Sequence, residues 1–515
     1  MGRFEAHPPC LTLLMRTRTI SVLVALAVSA LFYSACDTGL KGDLNENQPP
    51  STFFTVNEIN LPEDVRLVSQ VNISWWGDDP DGYIVGYEFQ IGDENEPWVF
   101  TTRSDSTFVL PIEEGNMDAD VRFSVRAIDN DGAVDPNPPS LVFPIRNSPP
   151  EIGFVSNETP PDSTFRVFSF GWNASDPDGD ANLNRIEVAL NDSTEWQEIP
   201  VDITFLTVRI DDTVEPATSQ VFLGRGLNSS GITFDSINLD GDNEFYIRAV
   251  DNAGAVSPTA VHEWYIKRQT SRILFLNDYF GSNSNAIAQL HLDILADLGF
   301  TQIDYMDISD GLATGGRRVP FSQAFPDRSL AQPTINLMLA EWDHIYWLSD
   351  NLDRHIGYGI EITTQFFDNG GTMFINIPTK NISPENPMFE FLPFERMEIL
   401  PSGQQSFILA NNSEIKPDDD FIDNPPFLAA GGNLISYYPI VPFGESVPLF
   451  EGDFRTRNPS FIGGTSDFDG SKLISATNPD ENIVFFGIRF QDLSADSDLS
   501  RLVELTCIEI LGFQQ

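Results

Sequence analysis

A pair of motifs occurs twice, and it restricts the first half of the chain to two copies of one strand-rich module. The first copy reads Trp75-Trp76-Gly77-Asp78-Asp79-Pro80-Asp81-Gly82 and closes with Arg126-Ala127-Ile128-Asp129-Asn130-Asp131-Gly132-Ala133-Val134. The second reads Trp172-Asn173-Ala174-Ser175-Asp176-Pro177-Asp178-Gly179 and closes with Arg248-Ala249-Val250-Asp251-Asn252-Ala253-Gly254-Ala255-Val256. Around both copies apolar and polar residues alternate, the period of a half-buried strand. In the first copy this covers residues 65–75, 83–91 and 120–128. In the second it covers 165–172, 184–190 and 244–250. Within 83–91 the pattern places Ile84, Gly86, Phe89 and Ile91 on one face, with Tyr87 opposed. Proline presets φ in each acidic turn, aspartate accepts nearby backbone N–H groups, and glycine takes positive φ.

The modules are bounded at 53–149 and 150–269, and the second carries a Gly-, Ser- and Asp-rich insertion at 200–240. Phe123-Ser124-Val125-Arg126-Ala127 and Phe245-Tyr246-Ile247-Arg248-Ala249, with the early Trp75 and Trp172, resemble fibronectin type III and related immunoglobulin-like modules of bacterial surface proteins. The resemblance implies two β-sandwiches serving as spacers or binding modules. The acidic turns are the best metal candidates. Asp78, Asp79 and Asp81 would meet Asp129 and Asp131 at one end of the first sandwich, and Asp176, Asp178, Asp180 and Asp251 at one end of the second. Calcium takes six to eight oxygens, so it is the cation such clusters would hold. The competing account is turn chemistry alone.

A different grammar begins at Arg272. A buried strand (272–278) leads to a helix at 286–298, with Ile287, Leu290, Ile294, Leu295 and Leu298 on its apolar side and His291 on its polar side. Asn283 or Ser284 caps that helix. Strands follow at 302–306, 342–350, 372–377 and 482–490, and helices at 334–341, 360–368 and 499–511. This alternation predicts an α/β domain with a mostly parallel sheet covered on both faces, so the fold class is multidomain: two all-β sandwiches, then α/β. The opening strand, Phe366-Phe367-Asp368-Asn369-Gly370-Gly371-Thr372-Met373-Phe374-Ile375 and Val484-Phe485-Phe486-Gly487-Ile488-Arg489-Phe490 resemble the flavodoxin-like core of class I glutamine amidotransferase-like domains. Residues 378–480 form an insertion that the resemblance does not cover.

That family's catalysis does not carry over. Its nucleophilic cysteine would stand near Ile377-Pro378-Thr379-Lys380, where there is neither cysteine nor serine. No histidine follows His355, and Cys507 reads as a core residue on the last helix. Ligands of open parallel sheets bind at the carboxyl ends of the strands. The groups expected there are Asn277, Asp278, Ser349, Asp350, Asn351 and Thr379.

The amino terminus reads as an address. Arg16 and Arg18 precede a short apolar run at 20–32, followed by Tyr33-Ser34-Ala35-Cys36. This resembles a bacterial lipoprotein signal peptide (residues 1–35, starting at Met15), with lipid joined to Cys36 and a tether over 36–52. Cleavage elsewhere as an ordinary signal peptide is the alternative. With Cys10, Cys36 and Cys507 the only cysteines, no disulfide framework is available. The net charge of −47 repels phosphate backbones, so no nucleic-acid partner is expected.

These readings converge on a lipid-anchored protein of the cell envelope, facing periplasm or exterior, that binds or scaffolds an unknown protein or glycan without catalysis. Two alternatives stand beside it. One is a carbohydrate-active or other hydrolase, which needs carboxylates such as Asp278 and Asp350 about 5–10 Å apart across one cleft. The other is a calcium-rigidified spacer.

Overall fold

The computed structural model describes residues 46–55, 65–156, 158–281, 283–308, 328–353, 355–417, 422–459 and 464–514. The expected signal peptide, Cys36 and most of the tether lie outside them. The chain divides into two compact units. The first comprises Met1–Leu67, Val71–Leu110 and Asp120–Ile145, and the second comprises Val68–Gln70, Pro111–Ala119 and Arg146–Gln515.

In the first unit a three-stranded sheet, ordered Ser51–Phe54, Gln70–Asp78, Asp105–Val109, packs on a five-stranded one built around Asp118–Asp129 and Ile84–Ile91. Alternation drives this packing: Val71, Ile73 and Trp75 point inward while Asn72 and Trp76 point out. The core is aromatic. Trp75 meets Phe123, Phe108 and Tyr87 with ring centroids 6.1–6.2 Å apart. Tyr87 is therefore a core residue, contrary to its expected placement. The pairing of Ile84–Ile91 with Asp118–Asp129 slips between Ile84 and Gly86. This bulge inverts side-chain parity, so Ile84 and Tyr87 share a face.

The second unit holds the other sandwich and the third region together. The sandwich pairs Val167–Ser175 with Glu151–Phe154 and Phe205–Asp211 in one sheet, and Leu183–Leu190 with Gly241–Asp251 in the other. Phe168, Phe170, Trp172, Phe245 and Trp264 fill its core.

In the third region five strands run parallel, in the order Asp304–Asp307, Ile273–Asp278, His344–Ser349, Thr372–Asn376, Ile483–Phe486. The sheet continues antiparallel through Leu473–Thr477, Val447–Gly452 and Glu414–Pro417. The 378–480 insertion thus supplies strands to the main sheet, and four more in a second sheet. The central strands are apolar on both faces because both are covered. Ile273, Phe275, Tyr346 and Phe374 face one cluster with the helix Ser284–Asp297. Leu274, Leu276, Trp347 and Ile375 face another with Ile335, Met338 and Phe366.

Two helix details differ from expectation. The buried stripe of Ser284–Asp297 runs through Ala288, His291 and Leu295, so His291 is a core residue rather than a polar-face one. Neither Asn283 nor Ser284 caps that helix by its side chain; the Ser284 hydroxyl instead accepts from Asn277. The last helix is α over Leu499–Val503 and π over Glu504–Ile510, and it buries Cys507 completely.

Val167 also shares a core cluster with Ile335 and Ile345, and Phe165 meets Trp342 edge-on at 5.0 Å. Thr207 and Thr334, both buried, bond hydroxyl to hydroxyl at 2.8 Å. Glu341 receives Arg209 at 2.6 Å and Arg166 at 3.2 Å. The second sandwich is therefore fused to the α/β region by one face of its Val167–Ser175 sheet.

Candidate functional site

Strand ends bring most of the expected polar residues to one edge of the parallel sheet. Ile273–Asp278 and His344–Ser349 lie side by side in register, so Asp278 stands next to Ser349. Asp278 is completely buried. Its Oδ2 accepts from the Ser349 hydroxyl at 3.0 Å, and its Oδ1 bonds His355 Nδ1 at 2.7 Å. The Ser349 hydroxyl also accepts from Asn351 N. Asn351 and Asp353 hold the Lys380 ammonium.

The other expected members serve the frame. Asn277 donates to Tyr305 Oη at 2.7 Å and to Ser284 Oγ at 3.2 Å, tying the neighbouring strand and helix to its own strand. Asp350 accepts from Phe280 N at 3.1 Å. Thr379 accepts from Tyr438 N and anchors the insertion.

His355 and Lys380 were not among the expected residues. His355 lies 77 positions from Asp278, and no local pattern marks so distant a partner. A second group was also missed. Arg489 donates to Asp492 at 2.7 Å and to Tyr437 Oη at 3.1 Å, and Tyr437 donates to Asp492. Burial and the adjacent Asp492 push the Tyr437 phenol far above its ordinary range.

The chemistry of this edge is restrained by its own bonds. A serine nucleophile needs a base to take its proton. Here the Ser349 hydroxyl donates to one oxygen of the Asp278 carboxylate, and His355 Nδ1 bonds the other. Asp278 and Asp350 do not form the two solvent-facing carboxylates of a glycoside hydrolase, because Asp278 is wholly buried. Burial alone raises the Cys507 thiol far above its ordinary range, which leaves no thiolate at neutral pH. His291 is also out of play: burial pushes it down to about 3, with Tyr346 Oη on Nδ1 at 2.6 Å.

The acidic turns were expected to gather calcium ligands. Among the described residues, no three carboxylate, imidazole or thiol groups converge to hold a metal ion. The carboxylates accept backbone and amide N–H groups. Asp129 takes Asn47 Nδ2 at 2.8 Å, and Asp131 N and Ala133 N at 2.9 Å each. Burial opposes ionisation there, but these bonds win and hold Asp129 below the usual carboxylate range. Asp81 accepts Gln48 N. Partial burial, with Asp81 and Asp129 nearby, raises Asp79. Asp78 and Asp131 are exposed.

In the second sandwich Asp176, Asp178 and Asp251 are buried, while Asp180 is exposed. Asp178 accepts Ser69 N at 2.7 Å and Ser148 N at 2.5 Å. Asp251 accepts Asn147 Nδ2 at 2.5 Å and Ala255 N at 2.8 Å, and Asp180 accepts Asp176 N. Burial, with Asp178 and Asp251 close by, pushes Asp176 up to about 6.

No protein-family model and no curated protein matches this chain. Solved structures do. The fibronectin(III)-like modules of Clostridium thermocellum CbhA match at 12% identity over 42% of this chain and 95% of theirs, TM-score 0.16. The chicken CNTN1 FN1–FN3 domains match at 12% over 44% and 68%, TM-score 0.18. A two-domain fibronectin type III segment of chicken tenascin matches at 10% over 43% and 99%, TM-score 0.17.

Proposed function

We propose that this chain is a lipid-anchored envelope protein that binds or scaffolds another molecule and performs no catalysis. On this reading Cys36 carries the lipid, residues 36–52 act as a tether, and the sandwiches carry the α/β region, a catalytically silent relative of the amidotransferase-like, flavodoxin-like fold. Acyl chains contribute about 0.8 kcal/mol per buried methylene, so a multiply acylated Cys36 holds the chain firmly at the membrane. The observation that carries the non-catalytic part is the engagement of Asp278. Asp278, buried at the sheet edge, bonds both Ser349 and His355 through its two oxygens, which differs from a serine bonded directly to its histidine base.

Two measurements test this. Growth of cells with an alkyne-tagged fatty acid labels the wild-type chain, and Cys36→Ala abolishes the label; an unlabelled wild type refutes the anchor. Incubation of the purified chain with ester, amide and glycoside substrates yields no turnover. Turnover that disappears in His355→Ala refutes the non-catalytic reading.

A further inference from the structure

The two sandwiches share a core but differ on one outward face. Strand register aligns them residue by residue. Phe54 lies opposite Trp75 in the first, and Phe154 lies opposite Trp172 in the second. Both pairs point inward. The adjacent outward pair is Phe53 opposite Trp76 in the first sandwich and Gly153 opposite Asn173 in the second. The sandwich therefore does not require aromatic rings at these positions.

The surroundings of the two pairs also differ. In the second sandwich much of the face is occupied, although Gly153 and Asn173 are themselves exposed. Val167 and Thr207 pack on the α/β region, and Glu158, held by Arg225 at 2.8 Å, lies so close over Gly171 that a Cβ there would come within 1.9 Å of its carboxylate. Among the described residues, nothing buries the equivalent pair in the first sandwich. Phe53 is 41% exposed and Trp76 50%, stacked with centroids 4.4 Å apart and planes 23° from parallel. Around them stand uncharged hydrogen-bonding groups: Ser51, Ser74, and Asn72, which donates to Thr107 at 3.2 Å.

We infer that this face, centred on Phe53 and Trp76, binds a neutral polysaccharide. Sugar rings present an apolar C–H face beside rows of hydroxyls. Isolated aromatic rings set among amides and hydroxyls match that alternation. A protein partner would call for a contiguous apolar core, and two rings on a polar sheet do not supply one. Asp78 and Asp105 flank the face, and with the net charge of −47 they repel anionic polymers. The inference rests on the binding role proposed above and names its ligand class.

The test is affinity electrophoresis of the full chain through gels containing soluble β-glucan, xylan or mannan, with a sulfated polysaccharide as control. The wild type is retarded by at least one neutral polymer and not by the sulfated one. Phe53→Gly/Trp76→Asn, which installs the residues of the second sandwich, weakens retardation at least about tenfold with the circular-dichroism melt of the first unit preserved. Trp76→Phe, which keeps a ring, retains most of the binding and covers the case of a misfolded double variant. No retardation by any neutral polymer overturns the inference, as does binding unchanged in the double variant or confined to the sulfated polymer. Such a failure leaves the fatty-acid label on Cys36 and the absence of turnover untouched, so it is separable from failure of the lipoprotein reading.

Discussion

The two sandwiches begin from nearly the same sequence and end in different circumstances. What they share includes a partly buried ion pair beside a tryptophan. Glu88 lies opposite Arg126, and Glu187 lies opposite Arg248. Each arginine stacks on a tryptophan, Arg126 over Trp98 at 4.2 Å and Arg248 over Trp196 at 4.0 Å. What they do not share is at the surface. Phe100, over Gly86 in the first, is replaced by Glu198, paired with Arg185 at 3.3 Å, in the second. Repetition marks what the fold needs, and divergence marks what each copy is used for. The second copy has become part of a larger body, and the first keeps exposed rings.

The largest expected effect comes from breaking the fusion that only the second copy has. Glu341 is nearly buried between Arg166 and Arg209. Removing one partner of a buried pair leaves the others uncompensated, at about 3–5 kcal/mol. Because Arg209 is half exposed, Glu341→Ala should cost about 2–3 kcal/mol of the second unit's stability in urea denaturation and leave the first unit unchanged.

The next effect separates the two acidic turns. Asp176 has a folded pKa of about 6 against an ordinary 3.8. A raised carboxyl keeps its full stability only below pH 3.8, loses it as pH rises toward 6, and is penalised above that. Asp176→Asn should therefore stabilise the second unit at pH 7, by about 1–3 kcal/mol, and flatten its stability between pH 4 and 6. The Asp79 turn, more open to water, should show much less of this. A smaller and equal pair of effects tests the shared feature. Arg126→Ala and Arg248→Ala each lose a partly exposed ion pair and a cation–π contact, about 1 kcal/mol apiece. Unequal losses would show that the repeat is not structural. Smallest of all, millimolar calcium should shift neither melting transition, since the turn carboxylates already hold N–H donors. A rise of several degrees would show that calcium binds the folded chain.

Much of this was legible in the sequence where one period ruled. Trp75, Trp172, Phe123 and Phe245 announced themselves as core by alternation, and the apolar run from Ile273 announced a strand covered on both faces. Legibility failed where a local irregularity or a distant partner decided the outcome. The bulge at Ile84–Gly86 moved Tyr87 inward. The helix at Ser284–Asp297 turned to bury His291 against Tyr346 and Phe490, a contact that no helical periodicity contains. At the site, strand ends pointed to Asp278 and Ser349. His355 and Lys380 stand on the turns beyond, where only the folded chain brings them in. The fusion through Phe165 and Val167 was half visible, since their strand is apolar on both sides, but nothing local says what covers the second side.

Native-state hydrogen exchange on the full chain tests the central claim, that the second sandwich and the α/β region fold as one body while the first stands as a unit of its own. The account predicts that the amides of Val167–Ser175 and Phe205–Asp211 open together with those of Ile273–Asp278 and His344–Ser349, and that Gln70–Asp78 opens independently. Opening of Val167–Ser175 in step with Gln70–Asp78, ahead of the parallel strands, would contradict it.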